Sequence, residues 1–182
     1  MKALYIGLPA VGHVTPATSL VKALTERGHD VTFYCSHHFE EKIADTGATF
    51  SCYPELSDEH KGIAYGLLSL GNSLLDIAVQ QMPFLVSEVK RLKPDYILYD
   101  SVAPWGRCLA KVTGLPAVNV VTTPVVNRAI LMSRKRWGIP LTYLLKLFEF
   151  KFDIRKKLTI LNEEFNYHAG FSDLFLIVQR LI

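Results

Sequence analysis

The sequence predicts an α/β protein built on a doubly wound, mostly parallel sheet of the Rossmann-like kind. Short apolar runs rich in β-branched and aromatic residues alternate with stretches of helical periodicity, and Gly or Pro separates the two. Strands that alternate with helices favour parallel pairing through right-handed crossovers. The length of 182 residues suits one domain.

The first elements read as strand, loop, helix and strand. Residues 2–8, KALYIGL, predict a buried strand, and residues 30–35, DVTFYC, predict a second one. Between them, Thr15 is a candidate N-cap, Pro16 suits the first helical turn, and Gly28 ends the helix. We expect the buried face of this helix to consist of Ala17, Leu20, Val21 and Leu24.

The alternation then continues to residue 121. The further predicted elements are, in chain order, a helix over 39–46, a strand over 48–53, a helix over 69–92, a strand over 96–99, a helix over 104–113 and a strand over 117–121. Pro83 marks a kink or a restart in the long helix. We expect residues 124–168 to form a mostly helical insertion or lid within the one domain, and residues 173–178 to resume as a strand. No closing helix follows that strand, so we expect the chain to be part of a longer protein.

Composition and charge exclude several classes. A net charge of +3 without a basic stripe disfavours nucleic-acid binding. The three cysteines are odd in number and form no CxxC pair, which disfavours a disulfide scaffold or a zinc site and favours the cytoplasm. Gly and Pro interrupt the apolar start of the chain, and Gly, Asn and Asp interrupt the apolar residues 63–82. We therefore predict no signal peptide and no transmembrane helix.

The predicted topology brings two polar residues to one crevice. In an open α/β sheet, ligands bind at the carboxyl ends of the strands where the strand order reverses. In the common order 3-2-1-4-5 this point lies between strands one and four. The loop after strand one contains His13, and the loop after strand four begins with Asp100. We expect both side chains to face the same crevice.

A His–Asp pair at this place suits the removal of a proton from a bound substrate. A helix N-terminus favours the neutral imidazole that a base must be, and a carboxylate orients the ring and stabilises the imidazolium. The GxSxG pattern of an activated serine is absent. Two simpler interpretations stay open: His13 as a capping or solvated residue, and Asp100 as the cap of the next helix.

Other motifs fit less well. The spacing of Gly7 and Gly12 is that of a phosphate loop, but His13-Val14 replaces its Lys-Ser/Thr pair. No GxGxxG follows the first strand, which disfavours a nicotinamide-binding domain. The adjacent His37 and His38 point in different directions on a helix, so they make a poor metal site.

Two stretches resemble the UDP-sugar glycosyltransferases of the GT-B fold, especially the bacterial macrolide and natural-product type. One is MKALYIGLPAVGHVTPATSLVKALTERGHDVTFYC, with its Gly12-His13-Val14-x-Pro16 motif and the Arg27-Gly28-His29 turn. The other is PDYILYDSVAPWGRCLAKVTGLPAV, with its strand, Asp100 loop and Gly-Leu-Pro turn. They occur in the family's order and span most of residues 1–122. Family members are about twice as long, and their second domain binds most of the nucleotide sugar.

The resemblance implies inverting transfer of a hexose from a UDP-sugar to a hydroxyl of a small apolar acceptor, without a metal or other cofactor. His13 corresponds to the family's base and Asp100 to its partner. It further suggests Val14, Thr122 and Thr123 as acceptor contacts and Gly12 near the donor diphosphate. We expect the acceptor pocket between His13, residues 63–82 and the residues after Thr122.

A second class of function stays open at this point. The chain could be a non-catalytic module of the same fold that holds an apolar small molecule or docks a separate donor subunit. Residues 124–168 carry aromatic side chains and a basic excess. They predict amphipathic helices over the sheet edge, a lid on the acceptor pocket, or, less favoured, contact with an anionic membrane surface.

Overall fold

Five parallel strands form one sheet in the order β3-β2-β1-β4-β5. This arrangement is that of a computed structural model, which describes residues 1–54, 67–122 and 141–166. The strands are β1 (Lys2–Ile6), β2 (Asp30–Cys35), β3 (Thr49–Cys52), β4 (Tyr96–Asp100) and β5 (Ala117–Val120). The predicted doubly wound sheet is therefore confirmed, and its winding reverses between β1 and β4.

Helices cover both faces of the sheet. One face carries α1 (Val11–Glu26) and α2 (Glu40–Ala44), which follows a 3₁₀ turn at His37–Phe39. The other face carries α3 (Leu67–Leu92), α4 (Pro104–Thr113) and α5 (Leu141–Phe165). Because both faces are covered, the strands can be apolar on both sides, as their sequences are.

In the central strand, successive side chains point to opposite faces of the sheet and pack in the two separate halves of the core. In β1, Ala3 and Tyr5 point to the α1 side, whereas Leu4 and Ile6 point to the α3 side. All four are at most 2% exposed. Burial of a side chain as large as that of Leu4 or Ile6 stabilises the fold by roughly 1.5–3 kcal/mol, and Tyr5 is buried on the opposite side, so β1 anchors both layers.

Helix α1 begins earlier than the sequence predicts. Its first residue is Val11 and its N-cap is Ala10, which has extended dihedrals and no side-chain cap. Thr15 is therefore not the cap, and Pro16 lies inside the helix. A proline there removes the hydrogen bond to the carbonyl four residues earlier, which belongs to Gly12. Gly12 is exposed, so water can bind that carbonyl instead.

Two details of the helices differ from the prediction. Leu20 is 37% exposed, while Ala17 and Val21 are buried and Leu24 packs at the edge of the core. Pro83 neither stops nor restarts α3, which is a single helix from residue 67 to residue 92. Helix α3 packs closely on α4, and Met82 and Leu85, on either side of that proline, are fully buried.

Helix α4 lies against the sheet through Gly106. A Cβ at this position would be 2.4 Å from the Cβ of Tyr99 and 3.1 Å from Cγ2 of Ile6. Only glycine allows so close an approach of helix to strand. Gly114, with a φ of 68°, then ends the helix in the left-handed conformation, as the sequence predicts.

The predicted insertion over 124–168 is helical where the structure describes it. Helix α5 packs on α3 through Ile154, Leu158 and Leu161, and Lys157 forms an ion pair with Asp76 at 2.7 Å. The strand predicted over 173–178 lies outside the described residues. Within the described ranges, no helix is both long and apolar enough to cross a membrane.

Candidate active site

Neighbouring strand ends bring His13 and Asp100 together. β1 pairs with β4 in parallel, so both strands end at the same edge of the sheet. Asp100 is the last residue of β4, and His13 is the third residue of α1, which follows the short loop after β1. The meeting of these two side chains at the reversal point is what the predicted topology requires.

The contact between the two side chains is close and largely shielded from water. Nδ1 of His13 lies 3.0 Å from Oδ1 and 2.9 Å from Oδ2 of Asp100. The Asp100 side chain is 1% exposed and that of His13 is 15% exposed. An ionised carboxylate only accepts hydrogen bonds, so Nδ1 carries the proton and Nε2 keeps its lone pair. This is the tautomer in which Nε2 acts as a base.

Asp100 does not cap the following helix with its side chain. Its Oδ1 accepts a hydrogen bond of 2.8 Å from the backbone N–H of Val102, while the N-cap of α4 is Ala103, which has no side-chain cap. The Val102 bond closes an Asx turn directly after β4. It fixes the carboxylate in the orientation that faces His13, so the simple capping interpretation of Asp100 is wrong.

His13 also lies where a helix favours a neutral ring. It is in the first turn of α1, and its backbone N–H donates to the carbonyl of Ala10 at 2.9 Å. The free N–H groups of a helix start carry partial positive charge, which disfavours a proton on a nearby imidazole. The carboxylate of Asp100, on the Nδ1 side, stabilises the positive charge that the ring gains when it accepts a proton.

The buried side of the pair contains a tyrosine with a strongly shifted pKa. Tyr5 is 1% exposed, and its hydroxyl has no hydrogen-bond partner in the described part of the chain. Burial, and next the negative charge of Asp100, raise the pKa of Tyr5 far above its usual value. The phenol therefore stays neutral, and the charge of Asp100 acts in a medium of low polarity.

Thr122 completes the immediate surroundings. Its Oγ1 is 2.7 Å from Nδ1 of His13 and 2.8 Å from Oδ2 of Asp100. The resemblance suggests this residue as an acceptor contact, and its hydroxyl instead contacts both members of the pair. The sequence analysis missed this arrangement. The available signal was the position of Thr122 just after β5, at the same edge of the sheet.

Two aromatic residues that the sequence analysis also missed hold the loop before His13. The Tyr53 hydroxyl donates to the carbonyl of Gly7 at 3.0 Å and accepts from the Trp105 indole N–H at 3.2 Å. Both rings are buried. The N–H of Gly7 in turn donates to the carbonyl of Tyr34 at 3.0 Å. Gly7, the residue directly after β1, is thus fixed at both of its backbone polar groups.

The remaining predicted site residues separate into three groups. Val14 is 1% exposed and packs in the core beneath α1, so its side chain is a core residue and not an acceptor contact. Gly12 is exposed, and a Cβ there would meet nothing within 4 Å. Thr123 and much of the expected acceptor pocket lie outside the described residues. The roles of Gly12 and Thr123 stay predictions.

The described ranges contain no cluster of three or more His, Cys, Asp or Glu side chains that could hold a metal ion. His37 pairs with Glu40 at 3.4 Å on the surface. The cysteines Cys35, Cys52 and Cys108 are free thiols.

Comparison with known proteins connects this geometry to one group of enzymes. No protein-family model matches the chain. YojK of Bacillus subtilis, described as an uncharacterized UDP-glucosyltransferase, is 28% identical over 134 residues, which cover 68% of this chain and 32% of YojK. The oleandomycin glycosyltransferase of Streptomyces antibioticus is 32% identical over 119 residues, which cover 62% of this chain and 27% of that enzyme.

A solved glycosyltransferase structure has a similar fold. The crystal structure of the glycotransferase of kitacinnamycin superposes with a TM-score of 0.76 at 24% identity, covering 95% of this chain and 43% of that one. The matched part of the chain covers about a third of the length of these curated relatives. By sequence it is therefore a relative of the UDP-glycosyltransferases, macrolide type included, and by structure it has the fold of the amino-terminal part of the GT-B natural-product glycosyltransferases.

Proposed function

We propose that this chain is the acceptor-binding part of a glycosyltransferase that moves a hexose from a UDP-sugar to a hydroxyl of a small apolar acceptor, with inversion. Nε2 of His13 takes the proton from the acceptor hydroxyl as that oxygen attacks the sugar. The observation that carries the proposal is the contact of Nδ1 with Asp100 at 2.9 and 3.0 Å, at the strand ends where such sheets bind ligands.

The pair is arranged for a substrate nucleophile and not for one from the protein. Within the described residues, the hydroxyl that contacts His13 is that of Thr122, and it contacts Nδ1, the nitrogen that already carries a proton. A serine or threonine nucleophile must instead donate to the basic nitrogen, Nε2. The lone pair of Nε2 therefore remains for a bound molecule. As the ring gains its proton, the carboxylate of Asp100 stabilises the positive charge.

Apolar side chains beside the pair support an apolar acceptor. Val11 is 63% exposed and immediately precedes the Gly12-His13 turn of α1, and Val121 is 47% exposed and immediately precedes Thr122. Exposed valines close in sequence to His13 and to Thr122 can give a bound molecule apolar contact area near one reacting hydroxyl. Because each valine is already partly covered, covering the rest of it contributes roughly 1 kcal/mol to binding before entropic costs are counted.

The start of α1 suits the approach of a donor diphosphate. Gly12 has open space around its Cα, so a phosphate can come close to the backbone N–H groups of the first turn. The positive end of the helix can balance part of the charge that develops on the leaving diphosphate, and we expect no metal to be needed. We expect most donor contacts to come from a second domain, because the matched part of this chain covers only 32% of YojK and 27% of the oleandomycin glycosyltransferase.

The test joins this chain to a donor domain. The purified 182-residue chain is incubated with a UDP-sugar and a panel of flavonoids and macrolides, alone and fused to the carboxyl-terminal part of YojK. We expect no transfer by the chain alone and transfer by the fusion. Intact YojK serves as the positive control for donor domain and assay.

Three outcomes would contradict the proposal. They are turnover by the short chain without a donor domain, unchanged turnover of the fusion after His13→Ala, and acceptor binding by a fusion that never transfers sugar. The last outcome would instead support the non-catalytic binding module.

A further inference from the structure

Thr122 reaches the His13–Asp100 pair because β4 and β5 stay paired beyond their ends. Asp100 and Val120 are register partners at the last position of the two strands. The next residue, Ser101, donates its backbone N–H to the carbonyl of Val120 at 3.0 Å. That bond holds the two following loops side by side. Thr122, two residues further along, is thereby brought against the carboxylate of Asp100.

The positions of the hydrogen atoms follow from the chemistry of the three groups. The ionised carboxylate of Asp100 can only accept, so the single hydroxyl proton of Thr122 is donated to Oδ2 at 2.8 Å. Towards Nδ1 of His13, at 2.7 Å, the hydroxyl oxygen can then only accept. Nδ1 must therefore be the protonated nitrogen. The hydroxyl thus independently selects the tautomer that the carboxylate favours.

Asp100 is held at both oxygens by this arrangement. Oδ1 accepts from the backbone N–H of Val102 at 2.8 Å, and Oδ2 accepts from Thr122. Among the described residues, loss of the threonine hydroxyl would leave the imidazole as the one side-chain donor to Oδ2, and the carboxylate could turn about its last bond. Threonine suits this task, because its branched Cβ restricts the side chain to few rotamers.

We propose that Thr122 is a positioning residue that locks the orientation of Asp100 and the Nδ1–H tautomer of His13. The proposal rests on the proposed function for its catalytic meaning, but the lock itself is a property of the folded chain. It differs from an acceptor contact in one respect. The hydroxyl proton is already committed to Asp100, so substitution of Thr122 acts on the rate through His13 and leaves acceptor binding nearly unchanged.

Nuclear magnetic resonance of the 182-residue chain with ¹⁵N-labelled histidine tests the lock without any activity. The readouts are which ring nitrogen of His13 is protonated, and how fast the Nδ1–H proton exchanges with water. Thr122→Val removes the hydroxyl at similar volume, and we expect exchange roughly tenfold faster, the value of one net hydrogen bond. Thr122→Ser should stay within about twofold of the wild type, because a hydroxyl alone maintains both bonds.

Two further variants control the experiment. Thr18→Val makes the same substitution on α1, where the hydroxyl donates to the carbonyl of Thr15, and it should leave the His13 signals unchanged. Thr122→Ala is a second hydroxyl-free variant should the valine disturb the fold, which circular dichroism reports. If neither hydroxyl-free variant folds, Thr122 is a folding residue and the proposal is wrong.

The outcomes separate this inference from the proposed function. If the Nδ1–H proton of His13 is present in both proteins and exchanges in Thr122→Val within twofold of the wild-type rate, Thr122 does not hold the pair, and His13 remains the proposed base. A wild-type ring protonated at Nε2 overturns both. In the fusion with a donor domain, Thr122→Val should lower kcat roughly tenfold with little change in the acceptor KM. A raised KM with unchanged kcat would make Thr122 an acceptor contact instead.

Discussion

Asp100→Asn is the sharpest test of the His–Asp pair, because it keeps the volume of the side chain and removes only its charge and one acceptor. Three donors converge on the native carboxylate: the N–H of Val102, the hydroxyl of Thr122 and Nδ1–H of His13. An amide has a single oxygen. If that oxygen stays on Val102, the NH₂ group faces Thr122 and His13, where it favours an unprotonated Nδ1 and hence a proton on Nε2.

The expected loss has two parts. First, the imidazolium loses its counter-charge. With centres about 4 Å apart and an effective dielectric constant of about 20, this interaction is about 4 kcal/mol. The amide dipole and the partial exposure of His13 reduce the loss to about 2 kcal/mol. Second, the shift of tautomer removes the free base from part of the population, which lowers the rate by a further factor of about ten. Because 2 kcal/mol corresponds to roughly 30-fold, we expect kcat to fall by roughly 300-fold in total.

The measurement is the initial rate of the fusion with a donor domain, over a range of acceptor concentrations. His13→Ala should cost at least as much, roughly 10² to 10⁴ in kcat with less effect on KM, since it removes the base itself. Asp95→Asn is the matched control: Asp95 accepts from the backbone N–H of Lys2 at 2.7 Å at the opposite end of the sheet. A kcat for Asp100→Asn within threefold of the wild type would refute the reasoning.

Three further predictions concern the fold that supports the site. Gly106→Ala should lower the free energy of unfolding, measured in urea, by roughly 1–3 kcal/mol, because its Cβ would lie 2.4 Å from that of Tyr99. Gly12→Ala, whose Cβ would lie in open space within a helix, should raise it by roughly 0.5–1 kcal/mol, and equal effects of the two substitutions would contradict this. Tyr53→Phe removes the hydroxyl that bonds the buried carbonyl of Gly7 and the buried indole N–H of Trp105, so thermal unfolding should show a loss of roughly 1–3 kcal/mol in the free energy of unfolding. An unchanged Tm would show that these two hydrogen bonds do not stabilise the fold. Burial raises the pKa of Cys35 from 9.0 to about 12, so the unfolded chain loses this proton at lower pH than the folded chain, and the free energy of unfolding should fall between about pH 9 and pH 12. The fall with pH should be less steep in Cys35→Ala, and an equally steep fall would exclude this thiol as its cause.

Local pattern in the sequence was enough for the order and type of the elements. Apolar runs with β-branched residues became the five strands, and Gly28, Gly47 and Gly114 took up positive φ angles where helices were expected to end. The convergence of His13 and Asp100 was also predictable. It depends only on strand order and on the rule that parallel strands end at one edge.

The start of α1 was not predictable from the same pattern. The expected signal was a side-chain cap at Thr15 with Pro16 behind it, but the helix begins at Val11 without any side-chain cap. What makes this possible is the exposure of Gly12, whose carbonyl can turn to water where Pro16 cannot donate to it. Solvent access is a property of the packed molecule, and no residue near Thr15 encodes it.

The sequence by itself determined that this protein has a doubly wound sheet with a histidine and an aspartate at its reversal point. Only the tertiary structure decided how that pair is held. Thr122 lies 109 residues from His13, and Tyr53 lies 46 residues from Gly7 and 52 from Trp105. Propensity and periodicity act over a few residues, whereas these hydrogen bonds exist because separate strand ends meet at one edge. Their geometry is therefore set by packing across the sheet and not by any local motif.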